Sequence, residues 1–280
     1  MPNSSAARRT AKSAAATRSA PAVAEREPRG ARRRRETRSR LLEAALKLMA
    51  EKGMEGVAIN EITEAADVGF GSFYNHFESK EAIYAAVMEW VFDEFANAIE
   101  AVQGEISDPA EVLAVSIRYT VMRALREPLW GQFLVREGFS AGSIDRGLGR
   151  RLLRDIRKGI AAKRLTVADP LMSFASVGGT ILGAIALALQ LGSPQRQQSA
   201  IFKELGSDLG HLPERAAKVA LEALGLGRAE AEKVAYRPLP QRELPRSGDE
   251  SRAAQVSASP VAAQSPARRN KRGSQRITTA

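Results

Sequence analysis

The residues best placed to do chemistry sit in one short run, Phe70-Gly71-Ser72-Phe73-Tyr74-Asn75-His76-Phe77, followed by Ser79-Lys80-Glu81. At helical periodicity Phe77 and Phe70 fall within about 40° and 60° of Phe73, so one side of this segment is aromatic. Gly71, Ser72 and Asn75 fall on the other side. A small polar face of this kind can enter a DNA major groove and offer Ser72 and Asn75 to base edges. Tyr74, His76 and Lys80 flank it and suit phosphate contacts. Phe70 either packs inward or touches a thymine methyl group. Arg32 to Arg35, Arg38 and Arg40 precede this face and could reach the backbone or the adjacent minor groove.

Such a face must be held by neighbouring elements. Leu41, Leu42, Ala45, Leu46, Leu48 and Met49 recur at helical spacing, which predicts a first helix over about 38–52 closed by Gly53. Asn60 is the expected cap of a second short helix carrying Ile62, Ala65 and Ala66. Asp67-Val68-Gly69 supplies the turn, and a third helix over about 70–77 completes a helix-turn-helix. Downstream, Asp108-Pro109, Asp169-Pro170 and Ser193-Pro194 read as caps followed by a first-turn proline. Strand alternation is absent. The expected fold is all-α, with nine or ten helices.

Composition narrows the function classes. Cysteine is absent and there are two histidines, His76 and His211. No disulfide scaffold, thiolate metal site or cysteine nucleophile is available. No HExxH, P-loop or nucleophile elbow is present, and Gly69-x-Gly71 lacks the strand and third glycine of a dinucleotide site. His211 reads as a loop residue. No catalytic residue, metal or cofactor is expected. The net charge is +10, but residues 1–35 hold ten Lys/Arg against two acids and residues 237–280 nine against three, leaving the stretch between them net acidic. Both tails are expected to be disordered. The acid-free, Arg/Ser-rich stretch before Glu25 also has the look of a transit peptide, with a flexible basic arm preferred.

Residues 171–191 carry no charge and are long enough to span a bilayer. The preferred expectation is a helix buried on most sides of a soluble core or dimer interface, with a single-span membrane protein as the alternative. A further alternative is a protein that coats DNA nonspecifically through its basic tails.

The run from Glu51-Lys52-Gly53 through Ile62, Ala66 and Val68-Gly69-Phe70-Gly71-Ser72-Phe73-Tyr74-Asn75-His76-Phe77 to Ser79-Lys80-Glu81 resembles the DNA-binding region of the TetR family. The Tyr-x-His-Phe-x-Ser-Lys-Glu pattern is highly specific, and the resemblance covers about 45 residues. It implies a helix-turn-helix DNA-binding domain at 36–82, a helical ligand-binding and dimerisation domain at 83–236, and tails at 1–35 and 237–280. It gives DNA-contact roles to Ser72, Tyr74, Asn75, His76 and Lys80, with Arg38, Phe70 and Gly71 on the same surface. The sequence departs from the family at Gly69, where a capping Ser or Thr is common, and at Phe70, where a polar residue is common. The resemblance further implies a homodimer on a palindromic operator in double-stranded DNA, repression as the default output, and a bacterial cytoplasmic location. Dimer contacts are expected from 171–191 and from 195–224, with Leu205, Leu209, Val219, Leu221 and Leu224. A small, largely apolar effector is expected among helices over 84–165, where Trp90, Phe92, Phe95, Met122, Trp130, Phe133, Leu134 and Phe139 supply the large apolar side chains.

Overall fold

A computed structural model describes residues 29–192, 200–205 and 209–240. The tail segments 1–28 and 241–280 and the Ser193-Pro194 cap lie outside the described residues. Among the described residues there are thirteen α-helices, one π-helical turn and no strand. Short helices and breaks raise that number above the nine or ten expected.

The head consists of α1 (Arg29–Lys52), α2 (Ile59–Ala65) and α3 (Phe70–Tyr74). Helix α1 starts nine residues before the expected position, so Arg29 to Arg35 are helical rather than part of a tail. Arginine and alanine are good helix formers, and Arg32 pairs with Glu36 one turn on at 2.8 Å. Leu41, Leu42, Ala45, Leu46 and Met49 form its buried stripe. Gly53 ends the helix at φ +76°, its N–H donating to the Met49 carbonyl at 2.9 Å.

Helix α2 begins two residues earlier than its expected cap allows, at Ile59 with Ala58 as the cap. Asn60 lies in the first turn, and the Ala58 N–H donates to the Glu61 carboxylate at 2.9 Å instead. Half of a capping box therefore does the work assigned to Asn60. The turn to α3 places Asp67 at φ +50°. Arg40 reaches from α1 and donates to the Asp67 carbonyl at 2.8 Å and to its carboxylate at 2.9 Å.

A linker helix runs from head to body as α4 (Lys80–Met88), the π-turn Glu89–Asp93 and α5 (Glu94–Gln103). Ser79 caps it, its Oγ accepting from the Ala82 N–H at 3.2 Å. The body adds α6 (Pro109–Arg126), α7 (Pro128–Glu137), α8 (Ala141–Ile144), α9 (Gly147–Ala161) and α10 (Pro170–Leu191). It ends with α11 (Ala200–Leu205), α12 (Leu212–Ala223) and α13 (Arg228–Ala235). The Asp108 and Asp169 caps form as expected, each carboxylate accepting a first-turn N–H at 3.0 Å. Helix α6 is the axial element and carries a buried Arg118 whose guanidinium donates to Glu214 of α12 at 2.7 Å.

Helix α10 corrects one expectation. It packs on α6, α7 and α12, yet it is not buried on most sides of this chain. Ser173, Val177, Ile185, Ala188 and Leu191 face inward. Met172, Ser176, Gly179, Gly183, Leu187 and Gln190 form one exposed line. By length and composition the helix could cross a membrane, but its inner face belongs to the helical body. Leu221 and Leu224 are likewise core residues, while Val219 is half-exposed.

The head rests on Phe73, which is fully buried, and on Phe77. Phe73→Ala is expected to destabilise it by about 3–5 kcal/mol, read as a lower denaturation midpoint. An unchanged midpoint would remove this residue from the core.

Candidate nucleic-acid interface

Two helices build the outward surface of the head. Helix α3 has five residues, too short to persist alone. It is held because Phe73 and Phe77 pack beneath it with ring centroids 5.8 Å apart, and Arg38 lies over the Phe77 ring at 5.1 Å. The long α1 runs alongside, and Arg34 donates to the Asn75 carbonyl at 3.2 Å. A shallow groove lies between them, lined by Arg33, Arg34, Thr37 and Arg40 on one side and Ser72, Asn75 and His76 on the other.

Of the predicted contact residues, Ser72, Asn75 and His76 line this groove. Ser72 and His76 are half-buried at its floor and Asn75 is exposed. Tyr74 is 51% exposed and leans edge-on against Phe73 and Phe70. Phe70 is 54% exposed, so the inward alternative is excluded; of the five residues of α3 only Phe73 is buried. A Cβ added at Gly69 or Gly71 would meet nothing within 4 Å. Packing does not require these glycines, and their smallness leaves the surface open to close approach. Gly69 caps α3 without a side-chain acceptor. Lys80 is partly covered at the start of α4, 4.0 Å from Glu55. Arg40 is committed to pinning the turn, whereas Arg33 and Arg34 join the groove as rigid helical residues. The strong helix propensity of the Arg29–Arg35 run was the available signal for that.

A second candidate site lies in the body. A cavity of about 90 Å3, open on one side, is bounded by α5, α6, α7, α9 and α10. Ile99, Leu113, Ile117, Leu134, Phe139 and Ile181 give it apolar walls. Gln103, Ser116, Thr120, Arg151 and Asp155 supply polar groups. Gln103 is buried and donates to Ser116 Oγ at 2.6 Å and to the Val112 carbonyl at 2.8 Å. Asp155 is buried and paired with Arg154 at 2.9 Å. Arg151 is held by Glu100 and by Asn97. Of the eight large apolar side chains expected here, only Leu134 and Phe139 line the cavity, and Phe92 is buried in the core. Phe95, Trp130 and Phe133 are fully buried core. Trp90 and Met122 lie away from it, half-buried. Large apolar side chains are drawn first to the core, and the cavity is instead bounded by mid-sized ones. Its polar members carried no pattern that would single them out in sequence.

Burial, then the positive charges of Arg34 and Arg38, hold the His76 imidazole below its ordinary value of 6.5. The fold therefore favours the neutral ring, and this contribution to stability is complete above about pH 6.5 and lost as the pH falls through the lower folded value. The denaturation midpoint is expected to decline between about pH 7 and pH 5, and His76→Gln to flatten part of that decline. An identical slope in the variant would exonerate this residue.

Two family models match the chain. Residues 41–87 match "Bacterial regulatory proteins, tetR family" and residues 108–237 match "Tetracyclin repressor-like, C-terminal domain". An HTH-type transcriptional repressor, DhaR, of Mycobacterium sp. strain GP1 is 40% identical over 72 residues, 26% of this chain and 36% of that protein. An HTH-type transcriptional regulator of Staphylococcus aureus strain USA300 is 31% identical over 85 residues, 30% of this chain and 46% of that protein. The chain thus spans less than half the length of these curated relatives. The crystal structure of RolR in complex with resorcinol is 34% identical, with a TM-score of 0.53, over 77% of this chain and all of that one. A regulator structure from Shewanella sp. PV-4, at 22% identity and TM-score 0.53, shares the fold. With both of its parts matched in order and a full-length structural relative at this identity, the chain belongs to the TetR family of bacterial regulatory proteins.

Proposed function

We propose that the protein is a homodimeric transcriptional repressor of the bacterial cytoplasm that binds a palindromic operator and releases it when a small effector fills the body cavity. The observation that carries this reading is the polar surface of Ser72, Tyr74, Asn75 and His76 on a helix pair clamped from below by Phe73 and Phe77. The head, 36–82 extended back to Arg29, reads DNA. Residues 83–236 sense the effector and dimerise.

One five-residue recognition helix makes too few base contacts for useful specificity, so two copies must act together. The exposed line on α10 supports that pairing. Its centre is Gly179 and Gly183, where an added Cβ would meet nothing within 4 Å, with the apolar Met172 and Leu187 on either side. An unpartnered face with small residues at the middle suits close approach of a second α10.

The cavity volume supports a small effector. At about 90 Å3 it is below the roughly 150 Å3 of an apolar cavity that holds benzene, which disfavours a fatty chain and leaves room for at most a single ring, reached through the cavity's open side. Gln103, Ser116 and Asp155 offer hydrogen bonds at its margin. A monocyclic phenol satisfies both features, and the relative RolR crystallised with resorcinol supports that choice. Weakening operator binding tenfold requires that the effector favour the released arrangement by about 1.4 kcal/mol.

Replacing Tyr74 and Lys80 together by alanine is expected to abolish binding to genomic fragments selected by the wild-type protein, while the variant remains a folded dimer by sedimentation. Tight binding by that double variant refutes the docking surface. Gly183→Leu is expected to weaken the dimer by at least about tenfold, visible as monomer in dilution experiments; an undisturbed dimer removes α10 from the interface.

A further inference from the structure

The linker helix is not a uniform α-helix. Between α4 and α5 it opens into a π-turn at Glu89–Asp93, where the Glu94 N–H bonds back to the Glu89 carbonyl, five residues earlier. Such a turn carries one residue more than an α-turn, and π-turns concentrate at functional positions. One residue of register is about 100° of rotation and 1.5 Å of rise. The turn therefore fixes how the head is oriented relative to the body.

Three walls of the effector cavity meet at this turn. Helix α5 is its continuation and lines the cavity with Ile99 and Gln103. Helix α7 lines the cavity with Leu134, and its Trp130 Nε1–H donates to the Val91 carbonyl inside the turn at 3.1 Å. Helix α9 lines the cavity with Leu148 and Leu152, and its Gly147 N–H donates to the Asp93 carboxylate at 2.8 Å. Gly147 sits at φ +48°, and a Cβ there would be 2.6 Å from the Phe92 Cβ. The indole is itself fixed. Its ring meets Phe95 edge-on at 5.0 Å, and the Arg123 guanidinium covers both rings at 4.9 and 4.5 Å.

We propose that the Glu89–Asp93 π-turn is the register element between effector cavity and DNA-binding head, and that Trp130 is the positioning residue that holds it through the Val91 carbonyl. The inference rests on the regulator reading above and adds which residues set the register of the linker helix. Filling the cavity displaces α7 and α9 from α5, loosens their two hydrogen bonds to the turn, and lets the linker change register beneath the head.

The test uses the full-length dimer. Trp130→Phe keeps an aromatic ring under Arg123 and removes the N–H donor. Leu221→Ala, a core change on α12, which packs on α6, α10 and α13, controls for simple loss of stability. Amide hydrogen exchange is followed without ligand or DNA. Operator affinity is measured with and without resorcinol as the probe. Trp130→Phe is expected to speed exchange in residues 89–96 by at least about tenfold, leaving α10 unchanged. It is expected to weaken effector-free operator binding by about tenfold and to shrink the response to resorcinol, while Leu221→Ala does neither. Wild-type exchange at 89–96 or unaltered operator affinity in Trp130→Phe overturns the proposal, as does an equal effect from Leu221→Ala. If the wild-type protein ignores resorcinol, the phenol reading fails by itself, and the exchange and effector-free arms still decide the role of Trp130.

Discussion

The outward surface of the head depends on the burial of Phe73 and Phe77 beneath a helix that has no stability of its own. A five-residue segment makes barely one turn of hydrogen bonds, and helix nucleation opposes it. Burying two phenylalanine side chains offsets that cost, on the order of 1.5–3 kcal/mol each. The same burial fixes rotation about the helix axis. Once these rings are underneath, Ser72 and Asn75 have only one way to point. Arg40 on the Asp67 turn and Arg34 on the Asn75 carbonyl then lock the two ends of α3 to α1.

The head is joined to the body at more than the linker helix. Arg136 of α7 donates to the Glu51 carbonyl at 3.1 Å, at the C-terminal end of α1. The Tyr84 hydroxyl of α4 donates to Glu137 at 2.6 Å. Burial, with the adjacent Glu137 carboxylate, pushes this phenol up to about 12, so it stays a donor throughout the physiological range. The C-terminal end of α7 thus touches α1 and α4 through Arg136 and Glu137 and the cavity through Leu134 and the following Gly138 and Phe139. A rigid helix shared by two sites is a physical route for coupling, with no need for a chain of loosely related contacts.

The head was legible in sequence because its constraints are local. Phe73, Phe77, Ser72 and Asn75 separate onto two faces by periodicity alone, and Gly53 marks the end of α1 by its need for positive φ. The Asp-Pro caps of α6 and α10 were legible for the same reason. Asn60 misled because a good capping residue was present, yet Glu61 reached the same region of backbone from inside the helix. The extent of α1 was missed because a run of arginines in a basic stretch looks like a tail until Glu36 and the α3 carbonyl are seen beside it. The cavity was illegible for a different reason. Which side chains bound a void depends on packing between helices far apart in sequence, and Gln103, Ser116 and Asp155 come from three of them. The largest aromatics pointed to the core, where the burial of Phe95, Trp130 and Phe133 is greatest.

The central claim is geometric: two copies of α3 sit in successive major grooves on one face of a duplex. Chemical interference footprinting on a fragment selected from the native genome tests it most directly. The account predicts two blocks of guanine-N7 interference, related by a two-fold axis and centred about one helical turn, or 34–36 Å, apart or a multiple of it. Continuous protection without such blocks, or interference confined to the minor groove, would contradict it.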